Sequence, residues 1–241
     1  MRRQEPGAER AEGRLDELAA IHGLDARARS ALAGVLQLLA RDEHAPTTVR
    51  APGLAVDRHL ADSLVALELT AVRHAKRLVD IGSGAGFPGI PLAIALPAAH
   101  VSLIESSQRK CLYLKRACVA LELTNTDVVC SPAEGWRAGI CSADVAVARA
   151  LAPQAVVLEL AAPLLQIHGV LVDWRSTVPD ADRSAAASAV ADLGLREVER
   201  RTVHPYIDAS DLTLYVFEKV RDTPELFPRR PGLARRKPLG Y

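Results

Sequence analysis

From about residue 72 onwards the sequence alternates short β-branched runs with stretches of helical apolar period, and this alternation restricts the fold more than any other feature. Arg77–Ile81, His100–Glu105, Thr126–Cys130, Ala143–Val147 and Gly169–Trp174 read as strands. Ile90–Leu96, Gln108–Leu121, Gln154–Leu165 and Ala181–Leu193 read as amphipathic helices. Strand, helix and strand in that order close as parallel βαβ units with right-handed crossovers. The pattern then changes, because Leu195–His204 and Asp211–Lys219 are strand-like runs joined by a turn at Pro205–Ser210, which predicts an antiparallel pair. The expected fold is α/β: a mainly parallel, Rossmann-like sheet closed by a C-terminal antiparallel strand, with helices ahead of it.

Those helices follow from Leu15, Leu18, Ala19 and Ile21, then Leu32, Val35, Leu36 and Leu39, at helical spacing. His44–Gly53 reads as a loop, and helical period resumes from Arg58 to about Ala71. The predicted organisation is a mobile arm over 1–13, a helical segment over 14–71, one α/β domain over 72–220 and a basic tail over 221–241. A chain of 241 residues suits one substantial domain, and with 49% hydrophobic but 4% aromatic residues its core must be built from Ala, Val, Leu and Ile.

A formal charge of +1 gives no global field for capturing a polyanion, yet Arg229, Arg230, Arg235, Arg236 and Lys237 crowd the C-terminus. They form either a local patch or a solvated tail. Cys111, Cys118, Cys130 and Cys141 show neither C-x-x-C pairing nor metal-ligand spacing with His, so no zinc or redox site is expected and buried thiols in a reducing cytosol fit best. Met1-Arg2-Arg3 leads into polar residues rather than a secretory apolar run, and stretches such as Gly89–Leu96 fall well below the ~20 residues a membrane span needs. A cytoplasmic, soluble protein without membrane contact is expected.

The chemistry concentrates after the first strand, in Gly82-Ser83-Gly84-Ala85-Gly86-Phe87-Pro88-Gly89. There the chain must turn sharply and bring backbone N–H groups up to a ligand, which glycine does at least steric cost. Gly84 to Gly89 also satisfies G-x-G-x-x-G, and Glu105 follows roughly 20 residues on, at the end of strand two, where it would hold ribose hydroxyls. Spacing alone therefore admits NAD or S-adenosylmethionine. Asp80 just ahead of the loop, Phe87-Pro88 where a pyrophosphate needs open space, and the antiparallel C-terminal pair tip the balance to the methyl donor. Ala133-Glu134 after strand three and Arg149 after strand four lie at the same carboxyl edge. Arg149, in an Ala-rich setting, needs a carboxylate or phosphate partner, supplied by the protein or by a ligand.

Longer motifs resemble one family. Arg58-His59 with Asp62-Ser63-Leu64 is similar to its R-H-x-x-D-S-L, and Val79 to Leu92, Glu105-Ser106-Ser107 with Arg109-Lys110, Leu123-Thr124-Asn125, Ala133-Glu134, Arg149 to Ala152, Pro228 to Gly232 and Lys237-Pro238-Leu239 also match. The resemblance, over roughly residues 55–240, is to the RsmG (glucose-inhibited division protein B, GidB) methyltransferases, which methylate a guanine N7 in the 530 loop of bacterial 16S ribosomal RNA. It implies a class I methyltransferase fold and S-adenosylmethionine as cofactor, contacted by Gly82, Phe87, Ala133, Glu134 and Arg149; the loop reading above adds Asp80, Gly84 and Glu105 to the expected donor site. It also implies 16S rRNA, as the 30S subunit or an assembly intermediate, as partner, with the N-terminal helices and the five basic tail residues facing RNA.

His59, Asp62 and Arg149 are expected at the reaction centre as positioning groups, Asp62 as acceptor for a guanine edge. Guanine N7 has a lone pair and no proton, so no general base is required. No metal is expected, and a monomer is. The sequence departs from the family at Pro132, where Arg is usual, at Arg175-Ser176, where Lys-Gly is usual, and at Pro46-Thr47-Thr48. These departures keep open a non-catalytic RNA-binding relative, beside a small-molecule methyltransferase and an NAD-dependent oxidoreductase.

Overall fold

The computed structural model describes residues 6–176, 178–209 and 212–240. Seven strands, β1 Arg77–Ile81, β2 His100–Glu105, β3 Thr126–Cys130, β4 Ala143–Arg149, β5 Leu165–Arg175, β6 Leu195–Thr202 and β7 Thr213–Lys219, form one sheet in the order β3-β2-β1-β4-β5-β7-β6. Pairing is parallel from β3 through β5, and β7 runs antiparallel to both of its neighbours. The strand order reverses between β1 and β4, and in open α/β sheets ligands bind in the crevice at the carboxyl ends of the strands at such a point.

The helices are α1 Pro6–His22, α2 Ala26–Arg41, α3 Pro52–Ala55, α4 Asp62–Leu64, α5 Thr70–Arg73, α6 Gly89–Ala95, α7 Gln108–Ala120, α8 Gln154–Ala161, α9 Asp180–Leu193 and α10 Leu233–Arg236. A π-helical turn over Val56–Ala61 joins α3 to α4, so that Pro52 to Glu68 forms one irregular helical rod. Local chemistry sets several of these limits. Asp25 caps α2 by accepting the Ala28 N–H at 2.8 Å, and Gly194, with φ of +77°, ends α9 in the left-handed conformation that costs glycine least.

Two apolar cores cover the two faces of the sheet. One joins α1, α2 and the irregular rod to α6 and α7 through Leu15, Leu32, Leu39, Leu60, Leu64 and Leu114; the other packs α8, α9 and Ala234 of α10 on the opposite face. As expected, aliphatic residues and Ala make up most of both cores. Of the four thiols expected to be buried only Cys111 and Cys118 are, Cys130 and Cys141 being exposed because they stand at the end of β3 and in the turn before β4.

Some boundaries differ from the sequence reading. The expected arm over 1–13 enters α1 by residue 6: Ala11 is buried and Arg10 pairs with Asp57 at 2.7 Å, which together fix the helix on the rod. Residues 1–5 lie outside the described residues, as do Ser210, the end of the predicted turn, and Asp211, the start of the predicted second strand of that pair. β5 begins at Leu165, so α8 is shorter than the apolar period suggested. Fully buried segments lose the alternation that separates strand from helix. Among the described residues no helix is long and apolar enough to cross a membrane.

Candidate functional site

The glycine loop hangs from the end of β1. Gly82 and Ser83 both donate to the Ile104 carbonyl, at 2.8 and 2.9 Å, so the loop leaves the sheet beside the end of β2. Gly82 and Gly84 have φ of +75° and +57°, but their surroundings differ. A Cβ on Gly82 would run into the Leu151 side chain, whereas one on Gly84 would meet only the Gly82 carbonyl, 3.8 Å away. Gly82 is required by packing as well as backbone conformation. Gly84 leaves the space where a Cβ would stand open, as a ligand cradle requires.

Two carboxylates hold this loop from beneath. Asp80 is fully buried; its Oδ2 accepts the Gly89 N–H at 3.1 Å while its Oδ1 has no partner among the described residues. Burial pushes the Asp80 carboxyl up to about 7, against the hydrogen bonds that favour its charge. Glu105, buried at the end of β2, accepts from the Gly84 N–H at 3.1 Å through Oε2 and from the Ser107 N–H at 2.8 Å through Oε1. It thus ties the loop to β2, with lone pairs left for a hydroxyl.

The three residues expected at the reaction centre do meet, and Phe87 joins them. The His59 ring stacks on Phe87 with centroids 4.3 Å apart and planes within 7°, and the Arg149 guanidinium lies 5.6 Å from the Phe87 centroid. Arg149 forms an ion pair with Asp62 and donates to the Arg58 carbonyl at 3.1 Å. Its apolar surroundings therefore receive the carboxylate they demanded, from within the protein. Burial lowers the His59 imidazole to about 4, helped by the Arg149 charge, so the ring is neutral at pH 7. The Val49 carbonyl, 3.1 Å from Nε2, assigns the proton to that nitrogen. Nδ1 is then left as an acceptor facing Arg149 at 3.4 Å. Burial raises the Asp62 carboxyl and Arg149 opposes that rise.

The turn after β3 carries the next pair expected at the donor site. Ala133 is buried, and Glu134 accepts the backbone N–H of Gly232 at 2.9 Å. The C-terminal segment is thus docked beside the crevice, which corrects two expectations. It is not a free tail: Ala234 is buried, and Phe227 and Leu239 pack on the core around α8 and α9. Nor are all five basic groups free for phosphates. Arg229 makes a two-pronged pair with Glu159, its Nε donating at 2.6 Å, and donates to the Lys237 carbonyl at 2.8 Å. A carboxylate as buried as Glu159, 1% exposed, needs that partner. Arg230, Arg235, Arg236 and Lys237 remain exposed, Arg235 also donating to the Leu151 carbonyl at 3.2 Å.

The departures from the family pattern have local explanations. Pro132 opens the 3-10 turn that carries Ala133 and Glu134, its carbonyl accepting from Gly135 at 2.9 Å. Arg175 folds back onto Asp173 at 2.7 Å and donates to the Ala152 carbonyl at 2.7 Å, bracing the loop after Arg149. Thr47 places its hydroxyl 3.1 Å from His59 Nε2. Sequence reasoning missed Trp174, whose Nε1 donates to the Asp62 carbonyl at 2.9 Å, and Glu159. The signal for Glu159 was there, an acid inside the apolar run Val156-Val157-Leu158-Glu159-Leu160. Nothing local could have paired it with Arg229, 70 residues away.

The resemblance placed the N-terminal helices towards RNA, and the cleft beside α1 carries both acidic and basic side chains. Between α1, the rod and the β6–β7 connection lies a cleft of about 790 Å³, and Glu9, Glu17, Asp57, Glu68 and Asp208 line it. Arg14 and Arg10 there are bound to Asp57. Among the described residues no group of three His, Cys, Asp or Glu side chains is placed to hold a metal.

A switch-point glycine loop, a strand-end Glu and a single antiparallel strand within a parallel sheet define a Rossmann-like methyltransferase. Solved structures share the fold: a fibrillarin pre-rRNA processing protein of Methanococcus jannaschii (TM-score 0.53, 16% identity, 67% of this chain and 74% of that one) and MtNAS in complex with S-adenosylmethionine (TM-score 0.53, 16% identity, 80% and 73%). The family described as rRNA small subunit methyltransferase G, GidB, matches residues 32–204. Proteins named ribosomal RNA small subunit methyltransferase G are similar over most of the chain. That of Carboxydothermus hydrogenoformans is 35% identical over 80% of this chain and 83% of its own, and that of a Synechococcus strain 38% over 76% and 74%. The chain belongs to the rRNA small subunit methyltransferase G family. It is an S-adenosylmethionine-dependent rRNA methyltransferase, which sets aside the NAD reading of the glycine loop.

Proposed function

We propose that this enzyme methylates N7 of a guanine in the 530 loop of 16S rRNA, in the 30S subunit or an assembly intermediate, acting as a monomer in the cytoplasm. The observation that carries the reading is the Asp62–Arg149 pair, set against Phe87 beside the glycine loop. A guanine presents acceptors at O6 and N7 and donors at N1 and N2. A guanidinium that donates to O6 and a carboxylate that accepts from the N1 or N2 edge would hold that base and reject adenine. Arg149 keeps N–H donors beyond those its protein partners take, and Asp62 keeps free lone pairs.

The methyl-donor site fits its cofactor on the chain's own terms. Gly84 offers an open backbone edge, Glu105 retains lone pairs for ribose hydroxyls, and Asp80 has a buried oxygen with no partner among the described residues, suited to an ammonium directly or through a water. Ala133 and Glu134 would flank the base of the nucleoside. When bound, S-adenosylmethionine supplies a sulfonium methyl that a lone pair can take directly. Asp62 neutralises Arg149, which keeps an uncompensated positive charge away from that sulfonium. The neutral His59, held by Val49 and Thr47, fixes Phe87 by stacking and has no proton to remove from N7.

What the residues must supply is position. Holding the reacting atoms about 3–3.5 Å apart is worth about 7–11 kcal/mol. The base must first leave any stack, at a cost of a few kcal/mol that is least in a loop. Mass mapping of 16S rRNA from a strain lacking the gene tests the assignment: N7-methylguanosine should vanish from the 530 loop and return with the wild-type gene. Full methylation there without the gene would overturn it.

A further inference from the structure

We infer that the C-terminal segment, residues 227–240, is a wall of the methyl-donor site, and that the Arg229–Glu159 pair is a positioning device for donor binding rather than an RNA contact. The inference rests on the placing of the donor at the glycine loop.

Two contacts lead from the segment to elements that face the donor. The Gly232 N–H donates to Glu134 Oε1 at 2.9 Å, which fixes the turn carrying Ala133 and Glu134. Arg235 donates to the Leu151 carbonyl at 3.2 Å, and the Leu151 side chain lies where a Cβ on Gly82 would be. Arg175 holds the next carbonyl, that of Ala152, at 2.7 Å. The loop so braced contains Ala150 with φ of +51°, a conformation an L-residue keeps only where its surroundings impose it. The segment therefore sets both the nucleoside-side turn and the loop that backs Gly82.

The segment is itself anchored at one place above all. Arg229 binds both oxygens of Glu159 in the buried face of α8 and also the Lys237 carbonyl, so one guanidinium ties α8 to both ends of α10. At the far end a Cβ on Gly240 would collide with the Ala185 backbone, so the chain lies directly on α9. Arg230, Arg236 and Lys237 stay exposed, Arg236 also donating to the Gly232 carbonyl at 3.3 Å. One short segment thus carries inward groups that shape the donor site and outward groups suited to phosphates, and phosphate binding and donor binding act through the same backbone.

Calorimetric titration of S-adenosylmethionine into the full chain, with no RNA present, tests this. Arg229→Ala should raise the donor Kd at least about tenfold, the order seen when a residue that orients a ligand-binding group is removed. Arg229→Lys, which keeps the charge but loses the fork, should fall between it and wild type. The charge exchange of Arg229→Glu with Glu159→Arg should restore part of the affinity. Leu39→Ala in α2, which lowers Tm without touching the segment, should leave the donor Kd within twofold of wild type. A donor Kd within twofold of wild type in Arg229→Ala, or in Arg229→Lys should the alanine variant not fold, would overturn the inference. So would an equal weakening in Leu39→Ala. Wild-type chain that fails to bind S-adenosylmethionine would instead overturn the donor site itself.

Discussion

Lowering the pH from 7 to 5 should weaken methyl-donor binding about fifty-fold, through one carboxyl. Asp80 is buried under the glycine loop, burial pushes it up to about 7, and its Oδ1 has no partner among the described residues. An ammonium received by that oxygen binds the ionised form, so affinity follows the ionised fraction: about one half at pH 7 and about one hundredth at pH 5. The donor's amino group, ordinarily near 7.7–8.0, stays protonated over that interval and begins to lose its charge above it, so affinity should peak at about pH 7.5. Calorimetry with S-adenosylmethionine at pH 5, 6, 7 and 8 reads the curve. Repeating it at pH 7 in buffers of different ionisation enthalpy should show about half a proton released per donor bound. Asp80→Asn should bind more weakly and lose the slope. The reasoning fails if the wild-type Kd is flat within threefold between pH 5 and 7, or if Asp80→Asn keeps the wild-type slope. The same shift has a stability consequence of defined sign. The folded chain keeps this proton where the unfolded chain, near 3.8, has lost it, so the free protein loses stability as pH rises towards 7.

Asp62→Asn keeps the shape but removes the charge facing Arg149, where the two side chains are 11% and 17% exposed, and should lower kcat/KM on the ribosomal substrate about 10–100-fold. The donor Kd should rise as well, because Arg149 loses its neutralising partner beside the sulfonium, and normal kcat/KM would exclude Asp62 from base recognition. Combining Arg230→Ala, Arg236→Ala and Lys237→Ala should reduce the slope of log Kd for RNA against log salt by about 0.7 for each phosphate no longer neutralised, roughly 2 in all. An unchanged slope would remove these residues from the RNA surface. Burial, with the Arg73 and Arg14 charges, holds the His22 imidazole down to about 4. The unfolded chain gains a proton near 6.5 that the folded chain refuses until about 4, so stability is lost as pH falls through that window. His22→Gln should lose less Tm than wild type between those values, and parallel Tm curves would show that His22 does not titrate as stated.

The sequence by itself determined the layers and the glycine loop on which the proposed donor site is built. Alternating β-branched runs and helical periods place five parallel strands, because side-chain period is local and survives into the fold. Glycines at 82 and 84 mark the turn that ends β1, because positive φ is a property of single residues. The same locality let Asp80 and Glu105 be placed before any contact was known. Tertiary structure alone decided the partnerships. Arg149 demanded an anion in any fold, but only the docking of the irregular rod against β4 made that anion Asp62, 87 residues earlier, rather than a phosphate. Arg229 looked from sequence like its exposed neighbours, and the packing of the C-terminal segment on α8 turned it into a structural ion pair with Glu159. Residues 6–13 looked like an arm because their charges show no apolar period, and Asp57 draws them into a helix. A charged side chain carries no local sign of whether it will meet water, RNA or a distant carboxylate, because that depends on which surfaces the chain brings together.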